Sequence, residues 1–261
     1  MMEMNDVASP GQSELLEQSQ PPAQTSLSRS RGVIVTTSLT GITFSSSMSV
    51  GLLTVGLPVI AVDLHLPEHL LLWPSSVYSL ACGCCLLLAG SIADLVGNRN
   101  INLAGTLIVA VFVLASGVSH TGLQLTIFRA LQGVGAAMCF PTSTSILTES
   151  FPAGKRRNIA FSCLGFGQPL GFAFGLVLGG VVQRGPAGWR TGFYLTAGIT
   201  AVLFVANIWC LPSDKPRHQM KWFSVVQGID WVGAAISSAA LGILSYVFAY
   251  VAWSSSSYTL C

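Results

Sequence analysis

Arg129 is the residue in this chain whose chemistry is hardest to set aside. It is the one formal charge well inside an apolar run, about six residues past the start of segment 123–147 and so roughly 9 Å in at 1.5 Å per helical residue. An ionisable group at such a depth marks a substrate, ion or proton pathway by default. Gln132, three residues on, falls on nearly the same helical face and would help to line a polar cavity. The plainer reading is a structural arginine bonded to backbone carbonyls of neighbouring helices. A proton relay built on Arg129 would want a titratable carboxylate beside it. No Asp or Glu lies in the middle of any apolar run between residues 32 and 211.

Other reactive residue types resolve more simply. His65, Glu68 and His69 match an H-x-x-E-H metallopeptidase pattern. That chemistry needs both histidines on one helical face, and Pro67 opposes the helix, so zinc catalysis is not expected. Cys82, Cys84 and Cys85 contain a CxxC spacing inside an apolar run, where a thiolate is disfavoured, so they read as small packing residues. Lys155, Arg156 and Arg157 form a basic loop that reads as a topology signal. Within the apolar runs there is no paired carboxylate, metal cluster or nucleophile constellation. No enzyme activity, cofactor or nucleic-acid partner is expected.

The elements that must position Arg129 follow from composition. Of 261 residues, 51% are hydrophobic and 8% charged; soluble domains carry about 25% charged residues, so this is an integral membrane protein. Met1 begins a stretch, 1–31, rich in Ser, Gln and Pro, without the apolar core of a signal peptide, which reads as a disordered cytoplasmic tail. Apolar segments at 32–62, 71–93, 101–119, 123–147, 160–183 and 191–211 make a six-helix bundle over 32–211. A polar linker, 212–228, leads to a seventh span, 229–253, and a short extracytoplasmic end, 254–261. With the N-terminus in the cytoplasm, nine Lys and Arg face the cytoplasm and two, Arg184 and Arg190, face away, a clear positive-inside bias. The expected fold is an all-α polytopic membrane protein, lying in a lipid bilayer, with the cell membrane as its expected location.

One segment has a pattern of its own. Gly167, Gly171, Gly175 and Gly179 recur every fourth residue, Gly180 follows, and 160–183 carries no charge. Residues four apart stack on one helical face, and a face without side chains lets a neighbouring helix approach closely in lipid. The segment reads as a helix–helix seam, with a kink expected at Pro169.

Four stretches in order carry a family resemblance. GSIADLVGNRN at 90–100 resembles the G-x-x-x-D-R-x-G-R-K loop of the major facilitator superfamily, with Leu95 and Asn98 in place of basic residues. LQLTIFRALQGVGAA at 123–137 resembles that family's fourth-helix motif. The fifth-segment glycines resemble the motif of its drug–proton antiporters. Trp189-Arg190 and GIDWVG at 228–233 are similar to the fourteen-span branch, and the wording is most like fungal multidrug and secondary-metabolite efflux carriers. The first-helix motif aligns with 48–58 and places Ser49 where the family has an acid.

The resemblance implies the N-terminal six-helix half of a major facilitator fold plus one further helix. It implies a gating loop at Gly90, Asp94, Gly97 and Arg99, in which Asp94 binds the positive end of a helix of the second half and Gly97 and Arg99 shape the turn. It implies coupling or cavity roles for Arg129 and Gln132, and an antiporter-type seam at Gly167, Gly171, Gly175, Gly179 and Gly180. Proton-coupled efflux of a small apolar drug, toxin or secondary metabolite is the implied function. The substrate site of this family lies between two halves near the midplane, so the sequence reads as truncated after the seventh span. The second reading is a half-bundle without transport of its own, or one that modulates a full-length carrier or pairs with a half-bundle from another chain.

Overall fold

The computed structural model describes residues 29–67, 70, 72–183, 188–211 and scattered helical positions between 233 and 247. Six helices carry the described chain: α1 Arg29–Asp63, α2 Trp73–Val96, α3 Asn98–Val118, α4 Gly122–Ser150, α5 Lys155–Val182 and α6 Arg190–Cys210. Each is long and apolar enough to cross a membrane. In hydrocarbon every backbone N–H and C=O must be bonded within the segment, which leaves helices or closed barrels as the spanning forms. Among the described residues there is no strand. The expected seventh span and the linker before it lie outside the described residues, apart from those scattered positions. Residues 1–28, Glu68 and His69 also lie outside them.

Several boundaries differ from the sequence expectation. Arg29 to Arg31, assigned to the tail, already belong to α1. Lys155, Arg156 and Arg157, assigned to a loop, form the first turn of α5. The expected loop 94–100 shrinks to Gly97 alone, between α2 and α3. Polar residues at the ends of a spanning helix meet headgroups and water, so polarity there does not end the helix. What ends α2 is backbone geometry: Gly97 has φ 117°, a left-handed value that favours glycine. The start of α4 is set by capping, with the Gln124 amide donating to Thr121 Oγ1 at 3.3 Å and the His120 amide donating to Gln124 Oε1 at 3.1 Å.

The packing has a two-fold pattern. α1 lies on α5 and α6, α4 lies on α2 and α3, and α3 meets α6. Exchanging each helix with the one three places on reproduces these pairings, as expected of a six-helix unit built from two inverted three-helix repeats. α1 is the most buried helix. Two apolar clusters hold the ends of the bundle. One gathers Leu53, Leu57, Ile60, Val109, Val113, Leu125 and Phe193. The other gathers Val35, Leu39, Ile42, Ile146 and Leu147. Between them the buried surface of α1 turns polar, through Ser45, Ser46, Ser47 and Ser49.

The end of the bundle near Asp63 is closed by a clasp. Arg190 Nη1 donates to Asp63 Oδ2 at 2.6 Å, Trp189 Nε1 donates to the same oxygen at 3.1 Å, and Arg190 Nη2 donates to the Ser119 carbonyl at 3.2 Å. The clasp joins α1, α3 and α6. The ion-pair side chains stay 29% and 44% exposed, so water screens them. Asp63→Asn is expected to lower stability by less than about 1 kcal/mol. A melting-temperature loss seen at low salt and erased near roughly 1 M salt, where the Debye length is ~3 Å, checks this.

Candidate functional site

The polar centre is assembled from three helices. Arg129 on α4 and Ser49 on α1 are fully buried, as is Gln132 one turn beyond Arg129. Arg129 Nη1 donates to Ser49 Oγ at 2.8 Å and to Gln132 Oε1 at 2.8 Å. Gln132 Nε2 donates to Ser49 Oγ at 3.2 Å. The Tyr78 ring of α2 lies 5.1 Å from the guanidinium carbon, a cation–π contact. Arg129 Nε and Nη2 are buried with no acceptor among the described residues.

The partners of Arg129 among the described residues are side chains of α1, α2 and α4 rather than backbone carbonyls. The position at which the first-helix motif has an acid is occupied by Ser49, and Ser49 is the group that Arg129 touches. Arg129 and Gln132 lie on one face of α4 and are hydrogen-bonded to each other. Sequence reading did not find Tyr78; no local pattern sets it apart from other aromatic residues in an apolar helix.

The backbone brings α4 and α2 close enough for this contact because Gly133 stands where they cross. A Cβ at Gly133 would meet the Tyr78 carbonyl, Ala81 at 3.1 Å and the Cys82 amide at 3.2 Å. On the other side of α4, Gly135 and Gly105 face each other's backbone, an added Cβ lying 2.8–2.9 Å from the opposite carbonyl. Next to them Asn102 Nδ2 donates to Thr142 Oγ1 at 2.9 Å and to Ser143 Oγ at 3.2 Å, which fixes α3 against α4.

The glycine stripe of α5 lies against α1. Gly167, Gly171, Gly175 and Gly179 are its buried glycines. A Cβ at Gly171 would strike the carbonyl of Phe44, and one at Gly175 the carbonyl of Met48 with the Gly51 Cα at 3.0 Å. At Gly167 it would lie 2.7 Å from Thr40 Cγ2; at Gly179 the nearest atom is Val55 Cβ at 3.3 Å. Gly51 on α1 answers Gly175, so the helices meet glycine to glycine. Gly180 is a correction: it is exposed, and a Cβ there would meet nothing within 4 Å. It sits one residue, or 100° of helical turn, away from the face that Gly179 shares. α5 continues through Pro169 without a break.

The loop motif is partly rearranged. Asp94 is exposed in the last turn of α2. Arg99 lies in the first turn of α3 and reaches across to α6, where its Nη2 donates to the Ile208 carbonyl at 2.8 Å. Its contact is thus to the C-terminal turn of a distant helix, beyond the turn it is expected to shape. Gly90 lies near Pro141 of α4, at an ordinary 3.7 Å for an added Cβ, so the two helices do not need a glycine there to approach. Asn98 Nδ2 donates to Glu149 Oε1 at 3.1 Å, which joins the ends of α3 and α4. Cys82, Cys84, Cys85 and Cys139 are in no disulfide, and no cluster of three or more metal-ligating side chains occurs among the described residues.

Comparison with known proteins matches residues 39–260 to the Major Facilitator Superfamily. The chain is 40% identical over 255 residues to "MFS-type transporter 1" of Pyricularia oryzae, covering 86% of this chain and 41% of that one. It is 31% identical over 238 residues to the "MFS efflux transporter aclA" of Aspergillus oryzae, covering 88% of this chain and 41% of that one. The chain therefore spans about two fifths of the length of these relatives. Among solved structures it is similar to the peptide transporter POT in complex with sulfate, with TM-score 0.64 and 22% identity over 80% of this chain and 46% of that one. That likeness speaks to the fold alone.

Proposed function

The chain belongs to the major facilitator superfamily, and from that premise we propose that it forms one lobe of a carrier exporting a small, largely apolar molecule such as a drug, toxin or secondary metabolite. The observation that carries this reading is the buried Arg129–Ser49–Gln132 cluster, set mid-bundle between two apolar clusters. Export as the direction is supported by the name of the Aspergillus oryzae relative and by the antiporter-type glycine stripe.

The mechanism proposed is alternating access, in which the lobe moves largely as a rigid body against a second lobe. The α1–α5 seam, without side chains between the helices, would let α5 bend or seal against α1. Asp94 supports a latch role through its position: a carboxylate at a helix C-terminus is unfavourable there by the helix dipole, and favourable against the positive N-terminus of another helix. Proton antiport is proposed as the driving exchange. The Ser49 hydroxyl does not give up its proton near neutral pH, so the acid that exchanges protons is assigned to parts of the carrier beyond these six helices. The N-terminus is placed in the cytoplasm of a multi-pass protein of the cell membrane, following the positive-inside count.

The test uses a host stripped of its own efflux pumps. The chain is expressed alone and together with the C-terminal portion of the Pyricularia oryzae relative. Lower accumulation of an apolar dye in the paired arm is the expected result. Accumulation equal to the empty vector in both arms overturns the proposal.

A further inference from the structure

The guanidinium of Arg129 is a full positive charge, 0% exposed, whose near neighbours are all neutral. Ser49 faces it from α1, Tyr78 from α2 and Gln132 from its own helix. The carboxylates of the described residues are Asp63, Asp94 and Glu149, each at a helix end and away from this cluster. A buried ion is kept only when it is paired or fully hydrogen-bonded. Here Nη1 is satisfied twice over, while Nε and Nη2, two donors on one edge of the planar fork, have no acceptor among the described residues. That free edge is the shape that grips a carboxylate by two parallel hydrogen bonds, or a halide between two N–H groups.

We propose that Arg129, through its Nε and Nη2 edge, binds a small monovalent anion within the bundle, either a halide or the carboxylate of a carried molecule. Ser49 makes the site possible: an acid at that position would neutralise the guanidinium internally and leave nothing for an anion to do. Tyr78 covers the charge with its ring from α2. The carboxylate source rests on the transport reading above; anion binding itself does not, and is measured without transport.

The full chain in lipid nanodiscs is melted in sodium HEPES, whose anion is neither a halide nor a carboxylate, and again with chloride or benzoate substituted at constant ionic strength. Ligand bound by the folded state alone raises the melting temperature, here by about 2–4 °C for a protein of this size. The shift is expected in the native chain and absent in Arg129→Gln. In Ser49→Asp, the melting temperature in HEPES alone is expected to rise and the anion response to vanish, since the carboxylate is now built in. A response to chloride alone identifies a halide, a response to benzoate alone identifies a carboxylate, and a response to both identifies a site open to either. No shift in the native chain, or an equal shift in Arg129→Gln, overturns the proposal whether or not Ser49→Asp folds, and failure of export in the host assay does not bear on it.

Discussion

Gly171→Ala is expected to destabilise the bundle as severely as a large core insertion, although it adds one methyl group. The methyl would strike the carbonyl of Phe44, and the Phe44 Cα and carbonyl carbon lie 2.8 Å from the same point. These are backbone atoms of the most buried helix, so no side chain can rotate away. The helices must separate, and separation along the stripe forfeits contacts at Gly167 and Gly175 as well. Overpacking of this kind costs typically 1–3 kcal/mol, and roughly 3 is expected here because the obstacle is backbone. Alanine's better helix propensity returns at most about 1 kcal/mol. Gly175→Ala should match it, since its methyl meets the Met48 carbonyl and the Gly51 Cα. Gly179→Ala should be mild, with nothing nearer than 3.3 Å. Gly180→Ala should be neutral or slightly stabilising. Size-exclusion profiles and melting temperatures of the four variants, extracted under one condition, check the ranking. Equal behaviour of Gly171→Ala and Gly180→Ala would show that the stripe is not a packing seam.

That ranking also shows what the sequence makes legible. A stripe at i, i+4 is a statement about one helical face, so four of the five glycines could be placed together before the partner helix was known. The fifth, Gly180, was included for adjacency in sequence, and adjacency along a helix is a change of face. The partner was not legible, because the glycines of α1, Gly32, Gly41, Gly51 and Gly56, have no i, i+4 repeat to flag Gly51. Helix ends were misplaced for a related reason. Lys155 to Arg157 and Asn98 to Asn100 are polar, and polarity in a membrane protein marks depth more reliably than it marks the end of a helix. Arg129 was legible as a lone charge in an apolar run. Its partner Ser49, eighty residues earlier, was reached only through alignment with a motif whose acid it replaces. Tyr78 and the free edge of the guanidinium required three helices to be placed in space.

Arg129→Gln is expected to abolish export while leaving the bundle folded, and the separation of those two outcomes is what gives the prediction weight. Removing one partner of a buried ion pair is strongly destabilising because a charge is stranded. Among the described residues no opposite charge is stranded here: Ser49 and Gln132 are neutral and can bond to each other, as Gln132 Nε2 already does at 3.2 Å. Loss of the cation–π contact with Tyr78 and of two hydrogen bonds is offset by relief from burying an ion. The melting temperature should therefore stay near that of the native chain. Export, measured in the paired-expression host, should fall by at least about tenfold, equivalent to ~1.4 kcal/mol of lost discrimination between the carrier's states. Arg129→Lys keeps the charge but lacks the planar fork that bonds Ser49 and Gln132 together, and should retain a partial rate. Ser49→Ala should fall between the two, since it leaves one donor each on Arg129 and Gln132 without their shared acceptor and the charge in place. A variant Arg129→Gln that exports normally would reduce the cluster to packing; one that fails to fold would show that the charge is compensated by a group outside the described residues.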